Sequence, residues 1–179
     1  MSGLKLLGIS GSLRDASLNT KLVREAARVF APATFSLGDL RLPLYDGDLE
    51  NRTGIPTAVQ VLADQIFAAD AVVISTPEYN QSISGVLKNA LDWVSRVDGN
   101  PWAGKPVALV AAAAGRAGGA RAQYGLRLAM APFRVRVAPG PEVLIAAAGQ
   151  AFDADGQLVD ARYQKALSEL MAALKAEIG

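Results

Sequence analysis

The sequence predicts a single α/β domain in which a parallel β-sheet carries helices on both faces. Short apolar runs alternate five times with stretches whose apolar residues recur at helical spacing, and this alternation is typical of parallel sheets. The chain has 179 residues, 51% of them hydrophobic and 20% charged, which is enough to enclose one hydrophobic core. No internal repeat or low-complexity segment interrupts it, so we expect one domain over residues 1–179.

The first two strands and the helices that follow them are expected before residue 70. Residues 4–9 are short, apolar and bounded by glycines, which is typical of a buried strand. Apolar side chains recur at helical spacing over residues 18–30, and a proline two positions later ends that helix. Residues 33–37 predict the second strand. A loop rich in Pro, Gly and Asp is expected over residues 38–54, before a second helical face at residues 55–66.

The centre of the sheet is expected in the next part of the chain. Residues 71–75 form an unbroken run rich in β-branched side chains, and they predict the third strand. An apolar stripe over residues 83–94 predicts a helix, and residues 107–113 predict the fourth strand. Residues 120–130 predict another helix, which a following proline ends.

A fifth strand is expected within residues 135–145, where a Pro-Gly-Pro run interrupts the pattern, and a last helix is expected over residues 160–178. The repeated strand–helix order fits two doubly wound arrangements, the Rossmann order and the flavodoxin-like order 2-1-3-4-5. Five strands favour the flavodoxin-like order. In either arrangement a ligand binds beyond the carboxyl ends of the strands, so the loops after the first, third and fourth strands form the candidate site.

The composition excludes several classes of chemistry. The chain contains no cysteine and no histidine, which excludes disulfides, thiolate or imidazole metal ligands, thiol catalysis and Ser-His-Asp hydrolysis. We therefore expect no metal site. If the chain is an enzyme, we expect a bound cofactor to carry the chemistry.

Charge and hydropathy argue against two classes of partner. The formal net charge is +1, from 18 basic and 17 acidic side chains, which gives no reason to expect nucleic acid as a partner. The apolar runs are too short to cross a bilayer, and the N-terminus is a poor signal peptide. Together with the lack of cysteine, these features favour a cytoplasmic protein that does not associate with a membrane.

The first loop, residues 8–20, leaves a strand and enters a helix. Backbone N–H groups at the start of a helix attract anions, and the guanidinium of Arg14 matches the geometry of phosphate oxygens. Short polar side chains surround it, at Ser10, Ser12, Ser17, Asn19 and Thr20. The set favours a phosphate monoester over the simpler alternative, in which Ser17 caps the helix and the rest is a solvated turn. The loop lacks the three glycines of a dinucleotide-binding motif.

The second loop, residues 75–85, and the third loop, residues 113–119, also carry unusual residues. Pro77 stiffens the second loop, while Tyr79 and Asn80 offer a flat ring and polar groups that suit the rim of a planar heterocycle. Glycines in the third loop would let the backbone approach a ligand closely. For each loop, an ordinary capped or flexible turn explains the residues equally well.

The motifs of these loops follow one another in a characteristic order. The first loop contributes residues 11–14 with Ser17 and Asn19, and the second contributes residues 77–80 with Ser82. Further motifs lie along most of the chain, at residues 42–46, 85, 87–90, 92–93, 104–107, 118–121, 152–153 and 156. In this order they resemble the NADPH-dependent FMN reductase family, in particular its quinone, azo and chromate reductase members.

The resemblance implies an oxidoreductase that binds FMN, takes electrons from NADPH or NADH, and reduces a small acceptor. The acceptor would be a quinone, a flavin, an azo compound or a metal oxyanion such as chromate. It would enter the place that the nicotinamide leaves, so ping-pong kinetics are expected. The family also implies a homodimer or a homotetramer.

The same resemblance implies which residues touch the cofactor. Ser12, Arg14, Ser17 and Asn19 would hold the FMN phosphate, and residues 77–80 would border the flavin ring. The full expected set is Ser10, Ser12, Leu13, Arg14, Ser17, Leu18, Asn19, Pro77, Glu78, Tyr79, Asn80, Ser82, Ala113 and Gly115. No side chain is expected to act as a catalytic acid or base, because the flavin carries the chemistry.

The chain departs from the family pattern at three positions. Ser84 stands where a proline is usual, Ala113 where serine or threonine is common, and Gly125 where histidine is common. The first two bear on the flavin site, and the third bears on assembly. Three alternatives stay open: a flavodoxin-like electron carrier without reductase activity, a non-catalytic binding or regulatory module that has lost flavin, and a different enzyme that binds a phosphate-bearing ligand on the same fold. Such carriers are usually strongly acidic, whereas this chain is nearly neutral.

Overall fold

One parallel sheet forms the centre of the computed structural model, which describes residues 3–178. Its strands are β1 (Lys5–Ser10), β2 (Thr34–Gly38), β3 (Ala71–Thr76), β4 (Pro106–Ala112), β5 (Arg136–Val137) and β6 (Val143–Ile145). They lie in the order β2-β1-β3-β4, and both β5 and β6 pair with the outer edge of β4. The predicted flavodoxin-like order is therefore confirmed. Its fifth position is divided between two short strands, because residues 139–141 (Pro-Gly-Pro) interrupt the pairing.

Helices cover both faces of this sheet. They are α1 (Leu18–Phe30), α2 (Gly47–Thr53), α3 (Thr57–Ala68), α4 (Gly85–Val94), α5 (Ala120–Met130) and α6 (Ala161–Ala176). Side chains of α1 and α6, such as Phe30 and Leu167, pack in one apolar core cluster. Side chains of α3, α4 and α5, such as Ile66, Leu87 and Leu126, pack in a second cluster with the other faces of the same strands. No helix within residues 3–178 is long and apolar enough to cross a bilayer.

The loop expected over residues 38–54 contains α2, so that part of the prediction was wrong. α2 buries no residue, and it therefore shows no apolar stripe that a sequence pattern could reveal. It begins at Asp46, whose side chain accepts a hydrogen bond from Asp48 N at 2.9 Å. Its Glu50 accepts a hydrogen bond from the Tyr45 hydroxyl at 3.0 Å, and this bond raises the pKa of Tyr45.

The centre of the sheet aligns the strand ends at one edge. β3 and β4 are buried along their whole length, as expected for strands covered on both faces. Ser10 at the end of β1 pairs with Ser75, and Thr76 at the end of β3 pairs with Ala111 near the end of β4. The first, second and third loops leave these ends, so they converge at one edge of the sheet.

Candidate functional site

A cleft of about 190 Å³ lies where the three loops meet. Most of the sequence-predicted site residues line it. They are Ser12, Arg14, Ser17, Leu18, Asn19, Pro77, Glu78, Tyr79 and Ala113, with Ala112 and Ala114 beside them. Leu13 lines an adjoining groove, whereas Ser10, Asn80, Ser82 and Gly115 line neither the cleft nor that groove. The structure therefore brings the first and second loops together as predicted. Four residues of the expected set lie outside both the cleft and the adjoining groove.

The first loop presents hydrogen-bond donors at the N-terminus of α1. The Ser17 side chain caps the helix by accepting a hydrogen bond from Thr20 N at 3.1 Å. The backbone N–H groups of Leu18 and Asn19 have no acceptor among residues 3–178, as is usual for the first turn of a helix. The first turn of α1 carries no acidic residue. These donors and the positive end of the helix dipole favour an anion in the cleft.

Arg14 adds the charge that such an anion requires. Its side chain is exposed and forms no ion pair with any acid among the residues that the structure describes. Its backbone N–H donates to the Ser12 hydroxyl oxygen at 3.4 Å, which shapes the turn between the two residues. Asp15 follows directly, but it lines a neighbouring pocket on the β2 side, which shares Ser12 and Arg14 with the cleft, and it does not line the cleft itself.

The side chain of Asn19 is engaged by hydrogen bonds within the protein. Its side-chain oxygen accepts hydrogen bonds from the Ser75 hydroxyl at 2.7 Å and from Ala112 N at 3.1 Å. Its side-chain nitrogen donates to Ala112 O at 3.0 Å, and the residue is 4% exposed. The amide group therefore ties α1 to the ends of β3 and β4. This places the start of α1, and with it the anion-binding N–H groups, against the sheet.

Ser10 also faces the protein. Its hydroxyl accepts a hydrogen bond from the Thr20 hydroxyl at 2.9 Å, and the residue lines the neighbouring pocket on the β2 side. We therefore expect Ser10 to hold the first turn of α1 in place through its bond to Thr20.

The second loop folds into a tight two-residue turn beside the cleft. Tyr79 and Ser82 exchange two backbone hydrogen bonds, each of 3.0 Å. Asn80 and Gln81 between them have φ angles of +49° and +66°, the left-handed geometry of a type I′ turn. Tyr79 lines the cleft with half of its surface exposed, whereas Asn80 and Ser82 are exposed and do not line the cleft.

Glu78 fastens the second loop to α5. Its Oε2 accepts hydrogen bonds from the backbone nitrogens of Arg121 at 3.0 Å and Ala122 at 3.4 Å. Gly119, which precedes α5, provides no side-chain cap, so Glu78 supplies that function from another loop. Arg121 Nη1 also lies 3.7 Å from Glu78 Oε1. The carboxylate that was expected to border the flavin ring thus holds the second loop against the start of α5, which follows the third loop.

Gly11 allows the first loop to approach the second. A Cβ atom there would lie 3.0 Å from Pro77 Cδ and 3.1 Å from Ser84 Oγ, closer than ordinary packing permits. Gly11 N donates to Ser75 O at 2.8 Å, and Gly11 O accepts a hydrogen bond from the Ser84 hydroxyl at 2.6 Å. The close contact between the two loops therefore depends on glycine at position 11, and these two hydrogen bonds hold it.

An apolar groove continues from the mouth of the cleft. Its first part, about 430 Å³, runs past Leu13, Tyr79, Ser84 and Val86. A second part, about 590 Å³, shares Leu13 and Val86 with the first and extends along residues 40–44. Ser84, Gly85 and Val86 line this groove but were not in the expected set of cofactor-binding residues, although Ser84 was expected to bear on the flavin site. A serine before a helical stripe signals a helix cap, but no local pattern shows that the start of α4 faces the first loop.

Comparisons with known proteins agree with this geometry. The family description "NADPH-dependent FMN reductase" matches residues 4–150. An NAD(P)H-dependent FMN reductase of Pseudomonas aeruginosa is 45% identical over 174 residues, covering 96% of this chain and 94% of that protein. A quinone reductase of Escherichia coli is 43% identical over 145 residues, covering 79% of this chain and 77% of that protein. The chain belongs to the NADPH-dependent FMN reductase family.

A solved structure supports the same assignment. FerB, a flavoenzyme NAD(P)H:(acceptor) oxidoreductase from Paracoccus denitrificans, superposes with a TM-score of 0.86 at 35% identity, covering 98% of this chain and 97% of that one. These comparisons confirm the expected family, the oxidoreductase class and FMN as the cofactor.

The cleft fits the polar end of FMN. A flavin phosphate needs positive charge and several N–H or O–H donors, and the first loop offers Arg14 together with the unpaired N–H groups of Leu18 and Asn19. The neighbouring second loop and the apolar groove provide the flatter, less polar surface that a flavin ring needs.

Proposed function

We propose that this chain uses FMN, bound with its phosphate against the first loop and its ring beside the second, to reduce small quinones with NAD(P)H. The observation that carries the proposal is the pairing of two different surfaces at one edge of the sheet. Arg14 and the unpaired N–H groups of α1 form a cationic pocket, and an apolar groove begins directly beside it.

The residues of the first loop would bind and orient the cofactor. Arg14 would form charge-assisted hydrogen bonds with the phosphate, and the N–H groups of Leu18 and Asn19 would donate to its remaining oxygens. The Ser17 hydroxyl accepts from Thr20 N through its oxygen, so its proton is available to the same anion. The side chains of Asn19 and Ser10 would keep these donors in place through their hydrogen bonds within the protein.

The residues of the second loop would border the ring. Pro77 and Tyr79 line the cleft, and the two-residue turn and the Glu78 cap fix their positions. Bound here, FMN would supply two-electron chemistry: a hydride from the reduced nicotinamide would pass through it to a quinone, and solvent would supply the second proton of the hydroquinone. The chain contains no histidine, and the proposal requires no side chain to move a proton.

The groove favours a quinone as the acceptor. Its lining contains apolar side chains, among them Leu13, Leu42, Leu44 and Val86, which match the flat apolar body of a quinone better than a compact oxyanion. Tyr79 is half exposed at the mouth, so nicotinamide and acceptor can enter from the same side in turn. We further propose that the enzyme is cytoplasmic and forms a homodimer or homotetramer, as its family and its lack of cysteine favour.

The direct test is anaerobic mixing of the FMN-loaded protein with NADPH, and separately with NADH, while the visible absorbance of the flavin is followed. We expect rapid bleaching, and we expect addition of a benzoquinone to restore the absorbance. Bleaching that only chromate reverses would contradict the quinone proposal. Bound FMN that neither nicotinamide bleaches would contradict the reductase proposal and favour the electron carrier.

A further inference from the structure

Ser84 lies at the end of the second loop, and it joins that loop to the first. Its side chain is buried, and the residue is 1% exposed. The hydroxyl donates to Gly11 O at 2.6 Å, and its oxygen accepts from Leu87 N at 3.4 Å as the N-cap of α4. One hydroxyl group therefore caps α4 and also fixes the orientation of a carbonyl group in the first loop.

The bond to Gly11 has a consequence for Ser12. The peptide unit between these residues is planar and trans, so its C=O and N–H groups point in opposite directions. Because Ser84 holds Gly11 O towards α4, the N–H of Ser12 points away from α4. This N–H has no acceptor among residues 3–178, and Ser12 lines the cleft. A hydrogen bond to the carbonyl also polarises the peptide unit, which makes the N–H a stronger donor.

We propose that Ser84 is a positioning residue that aims the Ser12 N–H at the phosphate of FMN. The inference rests on the proposed binding mode, in which the phosphate lies against the first loop. Ser84 itself would not contact the phosphate. It acts by fixing the orientation and the polarity of one peptide unit.

Two variants remove the hydroxyl in different ways. Ser84→Ala loses the bond to Gly11 and the helix cap together. Ser84→Pro also loses the hydroxyl, but the backbone angles of Ser84, φ −67° and ψ 149°, are those that proline adopts. Proline is also the residue that is usual at this position in the family pattern. If the alanine variant is too unstable to purify, the proline variant still tests the proposal.

The readout is the ratio of the dissociation constants for riboflavin and FMN, measured by fluorescence titration of the apoprotein. Riboflavin lacks the phosphate, so a loss that acts through the phosphate affects FMN alone. For both variants we expect FMN to bind about tenfold more weakly, as for one lost hydrogen bond to a charged group. We expect riboflavin binding to stay within about threefold of the wild-type value.

A matched control separates this effect from the loss of a helix cap. Asp160 caps α6 through its hydrogen bond to Arg162 N at 2.8 Å, and it lines neither the cleft nor the groove. Asp160→Ala is expected to leave both flavin affinities unchanged. Equal losses for FMN and riboflavin in the Ser84 variants, or no loss for either, would overturn the inference. Failure of the wild-type protein to prefer FMN over riboflavin would instead contradict the proposed binding mode.

Discussion

The first and second loops leave neighbouring strands and meet in one cleft, but they treat their polar groups in opposite ways. The first loop leaves Arg14 without an ion pair and leaves the N–H groups of Leu18 and Asn19 without acceptors among the described residues. In the second loop, the Glu78 carboxylate caps α5, and Tyr79 and Ser82 bond to each other. The difference indicates that the first loop offers charge and hydrogen-bond donors to a ligand, whereas the second loop offers a surface whose shape is fixed by its own hydrogen bonds.

The largest expected effect concerns Asn19, which belongs to the first loop in sequence but binds the sheet. Asn19→Ala would leave the Ser75 hydroxyl and both backbone groups of Ala112 without their buried partners. Each such group costs roughly 1–3 kcal/mol, so the three together are expected to lower the free energy of unfolding by at least about 3 kcal/mol. Urea unfolding measures this change.

The control for Asn19 is Asn51→Ala, because Asn51 is exposed on α2. We expect this variant to change the free energy of unfolding by less than about 0.5 kcal/mol. If Asn19→Ala proved equally harmless while FMN binding collapsed, the side chain would be a phosphate ligand after all, as the sequence predicted.

The next largest effect is on FMN binding. Arg14→Ala removes a charge-assisted contact of about 1.5–3 kcal/mol, so the dissociation constant for FMN should rise roughly 10- to 100-fold. The thermal midpoint should stay close to that of the wild type, because the side chain is exposed. Titration of the apoprotein with FMN and a thermal melt without FMN measure the two quantities.

Arg24→Ala is the matched control for Arg14. Arg24 is also exposed but lies within α1 and does not line the cleft. FMN affinity should be unchanged in this variant. Equal FMN affinities for Arg14→Ala and the wild type would show that the charge of Arg14 does not contribute to phosphate binding.

The smallest effect tests the second loop. Glu78→Ala removes the cap of α5, and helix caps contribute about 1 kcal/mol to stability. We expect a loss of that size in urea unfolding and a smaller loss of FMN affinity than in Arg14→Ala. Glu169→Ala, in an exposed pair with Lys165, should cost less than about 0.5 kcal/mol. If Glu78→Ala reduced the free energy of FMN binding more than the free energy of unfolding, the second loop would bind the cofactor directly.

The sheet order, both helical layers and the positions of the three loops could be predicted because they depend on local periodicity. β3 begins with four consecutive apolar residues, and α1 carries a clear apolar stripe that a following proline ends. The cap at Ser17 was also considered from the sequence, and the structure confirms it. Motif order then identified the loops that meet at the cleft.

The remaining features depend on contacts between distant parts of the chain. Asn19 bonds Ala112, Glu78 bonds Arg121, and the Ser84 hydroxyl bonds Gly11, in each case across a gap of more than forty residues. No local pattern reveals such partners. α2 was missed for a different reason, since it buries no residue and is held by its cap and by contacts of the preceding segment with α4.

The central claim is that the first loop binds the phosphate of FMN through charge and N–H donors. It is tested most directly by titrating the wild-type apoprotein with FMN and with riboflavin at low and high salt. We expect FMN to bind at least about 100-fold more tightly than riboflavin, with an affinity that falls as salt rises while that of riboflavin does not. Equal affinities for the two flavins at low salt would contradict the claim.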